Sequence, residues 1–214
     1  MIRQLSCVAA ALLASLVATV HSASAHPHVW VTMRSELVYA PDGTITGIRH
    51  AWTFDDMFSA FATQGIDTKQ RGAFTREELE PLAKTNIESL KDFEYFTMAR
   101  ANGKRADFVD PPAGYYLEYK DQILTLHFTL PFKTPVKAKD LRIDIYDPEF
   151  FVNFDFAEKE PVKLTGAPAA CTVAIIKPND NKFNAQRLDK SFTESNVNEG
   201  MGALYASKIA VKCP

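Results

Sequence analysis

The sequence predicts a mainly β protein: an antiparallel β-sandwich with an inserted helix–loop–helix segment. Three observations carry this. Short runs of alternating apolar and polar residues recur between turn signals over 28–54 and again from 93 onward. A single stretch, about 55–92, changes to helical spacing. Fifteen Phe, seven Tyr and two Trp supply enough bulk for a core between two sheets.

The chain opens with a pattern that reads as a cleavable signal peptide over residues 1–25. Arg3 gives a positive start, Leu5 to Val20 is almost wholly apolar, and Ala23-Ser24-Ala25 is a small-residue cleavage pattern. The apolar run is short for a spanning helix. Cleavage after Ala25 makes His26 the mature amino terminus, places the protein in the periplasm, and leaves residues 26–214 as one domain. The formal charge of −2 and the absence of a basic run argue against nucleic-acid binding. Cys171 and Cys213 remain after cleavage, and an even count in an exported protein reads as one disulfide.

Residues 28–39 and 45–54 form the first expected hairpin, around Pro41-Asp42-Gly43. Antiparallel partners then sum to about 84, which brings Asp55 or Asp56 beside His28. The same arithmetic sets His50 opposite Arg34, roughly 20 Å along the strand from His28 and too far to share an ion. Asp55 or Asp56 caps a short helix through Gln64, with Met57, Phe58, Phe61 and Ala62 inward. A capping box, Thr75 to Glu78, starts a second helix that runs toward Leu90, with a break expected at Pro81. Between the helices, Asp67 to Glu78 has the outline of an EF-hand loop, but Lys69 and Arg71 stand where oxygen ligands belong, so calcium is not expected.

Period-two patterning then resumes. Tyr95–Arg100 and Arg105–Val109 flank an Asn102-Gly103 turn. Tyr115–Tyr119 and Ile123–Leu130 form a further hairpin, with His127 on the face opposite Leu124, Leu126 and Phe128. Leu141–Asp147 and Val152–Phe156 follow. Ala170–Lys177 pairs with Ser207–Cys213 in the register that sets Cys171 opposite Cys213, Val173 opposite Val211 and Ile175 opposite Ile209. A helical stretch is expected near Ala185–Phe192.

The candidate chemistry lies in His26-Pro27-His28-Val29-Trp30. A new terminal amine and two imidazoles two residues apart form a nitrogen-rich donor set that suits zinc, nickel, cobalt or copper. Pro27 has no amide proton, which rules out the terminal clamp that needs a deprotonated second amide. Asp55, Asp147 and His127 are the candidates to complete the shell, although Asp55 equally suits a helix cap and Asp147 a strand-ending turn. No nucleophile elbow or phosphate loop appears, and no enzyme is expected.

Four segments together resemble a family of bacterial exported proteins, the DUF1007 family: His26 to Trp30, Trp52-Thr-Phe-Asp55-Asp-Met-Phe-Ser59, Tyr146-Asp-Pro-Glu-Phe-Phe151, and Gly202-Ala-Leu-Tyr-Ala through Cys213. The resemblance implies a periplasmic component that accompanies nickel/cobalt-type permeases and zinc-responsive genes. The expected function is therefore that of a metal-binding accessory to an inner-membrane metal permease, with zinc first among the ions. The alternatives are a non-metal envelope interaction module and a histidine-brace copper enzyme.

Overall fold

The computed structural model describes residues 27–178 and 201–214. The signal peptide expected over 1–25, His26 and the helical stretch expected near 185–192 lie outside these residues. In chain order the elements are β1 (Val29–Tyr39), β2 (Ile45–Phe54), α1 (Asp56–Ala62), α2 (Arg76–Lys91), β3 (Thr97–Ala101), β4 (Lys104–Ala106), β5 (Tyr116–Lys120), β6 (Ile123–Val136), β7 (Asp140–Ile145), β8 (Val152–Phe156), β9 (Val162–Thr165), β10 (Thr172–Ile176) and β11 (Lys208–Lys212).

The alternation along β1 and β2 makes one face of the first sheet apolar, with Met33, Leu37, Ile48 and Trp52 fully buried. β6 adds Leu124, Leu126 and Leu130 to the same face. This sheet runs β5-β6-β2-β1, then β8 and β9. The second sheet runs β10-β11-β7-β3-β4 and contributes Ala99, Ile143 and Ile209 to a shared core. Phe96 packs on Phe154 at 5.5 Å, and Thr97 Oγ1 lies 3.4 Å from His50 Nε2, so side chains of the two sheets meet directly.

Several expectations are corrected. The first sheet is mixed, because β8 and β9 both run parallel to β1. After β7 the chain crosses from the second sheet to the first and enters β8 at the end where β1 begins, so Val29 pairs with Val152. The hairpin register is one residue from the expected one: His50 faces Ser35, and Arg34 faces Ala51. β6 continues past Leu130 through Pro131, where it meets β2 at Gly47. A Cβ at Gly47 would come within 2.6 Å of the Leu130 carbonyl oxygen, so glycine is what admits this close crossing.

The helices depart from their patterns in two places. Met57 and Phe61 are 74% and 70% exposed, while Ser59 is the fully buried residue of α1. Ser59 Oγ donates to the Asp55 carbonyl and accepts from Leu124 N–H, so this polar anchor sets the inward face. Phe58 does turn inward, against Phe54 at 4.5 Å. α2 runs unbroken through Pro81. Its capping box and the burial of Leu79, Ala83 and Ile87 outweigh the one amide that Pro81 removes on the exposed side. In the preceding loop, Glu78 accepts from Thr75 N–H and Lys69 N–H, so this carboxylate closes the loop onto the helix start. No helix among the described residues is long and apolar enough to cross a membrane.

Candidate functional site

Four separate stretches of the chain meet where β1 begins. The first link is Asp55, which ends β2 and caps α1. Its Oδ1 accepts from Phe58 N–H at 2.7 Å and its Oδ2 from Trp30 N–H at 2.8 Å. Asp55 N–H in turn donates to the Trp30 carbonyl. The carboxylate therefore joins the first strand to the first helix.

Asp147 is the second link. Its side chain is turned into the loop it begins: Oδ1 accepts from Glu149 N–H, and Oδ2 from both Phe151 and Val152 N–H, at 2.9–3.0 Å. The residue is only 4% exposed. These bonds shape the turn that delivers β8 beside β1. His28 N–H donates to the Phe151 carbonyl at 2.8 Å, and the His28 ring lies 4.7 Å from the Phe151 ring. Thus Asp147 fixes Phe151, and Phe151 fixes His28.

The C-terminal motif closes the same end from behind. Gly202 N–H donates to the Pro148 carbonyl, and the Tyr205 ring stacks on Phe150 at 4.3 Å. A Cβ at Gly202 would overlap the Asp147 carbonyl oxygen, so no other residue fits this contact. Phe151 and Gly202 are thus structural members of the site that spacing alone did not single out. Their signal was membership in the segments quoted above, without any hint that those segments touch.

Of the candidate metal ligands, His28, Asp55 and Asp147 belong to this end, and His26 precedes the described residues. Both carboxylates are already engaged by two or three backbone N–H groups each. Among the described residues, no three His, Cys, Asp or Glu side chains are arranged to hold an ion. His127 stands elsewhere. It pairs with Ala51, which pairs with Arg34, so it lies six positions along β1 from His28, roughly 20 Å away. Its ring stacks on Tyr116 at 4.5 Å, and burial holds its pKa below the ordinary histidine value. His50 is enclosed in the core, with Ser35 Oγ 3.0 Å from Nδ1, and burial pushes its pKa down to about 3. Cys171 and Cys213 form the disulfide at the end of the β10–β11 pair, in the register expected.

The site is therefore one exposed imidazole at a rigid corner, beside half-exposed Trp30 and Phe151, at 48% and 46%. This chain is similar to known proteins along most of its length. It is 26% identical over 195 residues to an uncharacterized protein of Haemophilus influenzae, covering 88% of this chain and 91% of that one. It is 31% identical over 99 residues to an uncharacterized 15.5 kDa protein in the trpE 3′ region of Spirochaeta aurantia, covering 46% of this chain and 70% of that one. The model of the family described as protein of unknown function, DUF1007, matches residues 11–213, and the chain belongs to that family.

Proposed function

We propose that this protein is an exported carrier for a divalent transition metal, zinc first, with nickel, cobalt and copper as the competing ions. In this reading it works in the periplasm and passes its ion to or from an inner-membrane metal permease. The ligands are the mature terminal amine, the His26 imidazole and the His28 imidazole. Three nitrogen donors suit these ions and leave positions open for exchange with a partner.

The observation that supports this most is the way His28 is held. Its backbone bond to Phe151 and the Asp147 turn behind it give the imidazole a fixed base, next to the point where the expected mature terminus would lie. Asp55 and Asp147 take a positioning role, because their oxygens already serve backbone N–H groups. A ligand held by a rigid support loses less entropy on metal binding than one on a frayed end.

Native mass spectrometry of protein beginning at His26 tests the proposal. One ion should bind at micromolar zinc, copper or nickel, and a His26→Ala/His28→Ala variant should lose it. No metal-dependent mass shift in the unaltered protein would sink the idea. A second reading, a non-metal docking module of the envelope, is favoured by the exposed Trp30, Phe151, Met57 and Phe61. That module would keep its partner after both histidines are removed, whereas a carrier would not.

A further inference from the structure

The outer face of the first sheet holds a groove of about 540 Å³, well away from His28. That volume lies within the range of small-molecule sites. Its floor is a single cross-strand row: Tyr116 on β5, His127 on β6, Ala51 on β2 and Arg34 on β1. Side chains in such a row share a face and are spaced by the distance between strands, about 4.8 Å.

The row is a stack with one place open. Tyr116 and His127 lie nearly parallel, 4.5 Å apart with 12° between planes. The Arg76 guanidinium sits 3.6 Å from the Tyr116 ring centroid, so it must cover the face His127 does not. The next place belongs to Ala51, whose methyl group leaves the space above it unfilled. Beyond it stands Arg34, two strands from His127 and therefore about 10 Å away at the backbone. A planar group stacks on an aromatic ring at centroid separations of about 4.5–7 Å, so one such group fits between His127 and Arg34.

Charge selects among planar groups. Among the described residues the Arg34 side chain makes no hydrogen bond or ion pair, its backbone alone being engaged in the β1–β2 ladder. Arg49 and Lys163 also line the groove, and both face one carboxylate, Glu36, at 3.0 and 4.0 Å. Glu36 additionally accepts from Thr165. Glu160 is the other acidic residue of the lining. Burial lowers the His127 pKa against the opposing pull of Glu118, whose Oε2 lies 3.3 Å from His127 Nε2. Among the lining residues three cations, Arg34, Arg49 and Lys163, face two carboxylates, Glu36 and Glu160, and Arg34 is the cation whose side chain has no ion-pair partner among the described residues.

We propose that this groove binds a small aromatic monoanion, its ring slotted over Ala51 against His127 and its carboxylate on Arg34. An arginine fork offers two parallel N–H donors to such a carboxylate.

The test uses 2-naphthoate and its neutral amide, 2-naphthamide, titrated into processed full-length protein and followed by NMR of the His127 imidazole. Saturable 2-naphthoate binding that perturbs His127 is expected, with 2-naphthamide weaker by about tenfold or more. Arg34→Gln should weaken 2-naphthoate to the same degree, and Ala51→Leu should abolish binding by filling the open place. His28→Ala should change nothing, which separates this groove from the metal proposal. Absence of saturable binding overturns the proposal. So does 2-naphthoate binding that survives unchanged in both Arg34→Gln and Ala51→Leu. If Ala51→Leu does not fold, the Arg34→Gln result decides alone.

Discussion

His50 is the residue whose chemistry reaches furthest into stability. It is enclosed by Trp52, Phe128 and Ser35, and in the folded state its pKa is about 3, against an ordinary value of 6.5. The unfolded chain therefore takes up the proton first. The stability owed to neutral His50 is complete above about pH 6.5 and is lost as pH falls toward 3, by up to about 1.4 kcal/mol per pH unit. Urea unfolding at pH 7 and pH 5 should show this loss, and His50→Gln should remove that part of the slope while lowering stability at both values. An equal slope in the variant would show that His50 does not carry it. Asp147 gives the second prediction. Asp147→Ala leaves three loop N–H groups without their acceptor and should cost about 2–4 kcal/mol. If the proposed terminal site takes up one ion, that stoichiometry should persist in the variant, because the proposal gives the Asp147 carboxylate the role of supporting Phe151. Loss of the ion with stability intact would make it a ligand.

At the level of elements, the short helix α1 depends on Asp55 at both ends of its attachment. Asp55→Ala removes the cap from Phe58 N–H and the tie to Trp30 N–H, and should destabilise by about 1–2 kcal/mol in urea. Pro81 works in the other direction. It lies inside α2, exposed, and denies the helix one backbone bond. Pro81→Ala should stabilise by about 1–2 kcal/mol, since the regained helical geometry exceeds the entropy that proline removes from the unfolded chain. A variant less stable than the parent would mean that the proline ring packs usefully. These cases show which features local sequence carries. Alternation alone placed β1 and β2, and the Thr75–Glu78 box placed the start of α2, because each rests on contacts between near neighbours. The paired Val173–Val211 and Ile175–Ile209 positions placed the disulfide, because a correct register matches several residues at once. The parallel partners of β1 were hidden, since β8 and β9 come more than a hundred residues later and no hairpin turn announces them. The inward turn of Ser59 was hidden too, because its reason is a β6 amide distant in sequence. At the candidate site, Asp55 near the start of β1 was legible from hairpin pairing, but the placement of Asp147 and the Phe151 and Gly202 contacts needed the crossover between sheets.

Across the whole molecule, the disulfide and the candidate site are linked through β11. Cys171–Cys213 joins the end of β11 to the region before β10 across a sequence separation of 42 residues. β11 is an interior strand, paired with β10 on one side and β7 on the other, and Ile209 and Val211 are buried. Just ahead of it, Gly202 and Tyr205 press on the Asp147–Phe151 loop that supports His28. Two outcomes of breaking the cross-link are therefore distinguishable. The constraint on the unfolded chain disappears in either case, so a Cys171→Ser/Cys213→Ser variant should lose about 4 kcal/mol of stability in urea. The local outcome depends on what holds β11. Five residue pairs to β7 and two buried aliphatic side chains do not need the disulfide, so the site loop should keep its place. Hydrogen exchange of Phe151 and Val152 amides, which donate to Asp147, should then accelerate only in step with core amides of β7 such as Ile143. Exchange of Phe151 and Val152 ahead of β7 would instead show that the disulfide guards the corner on which His28 rests.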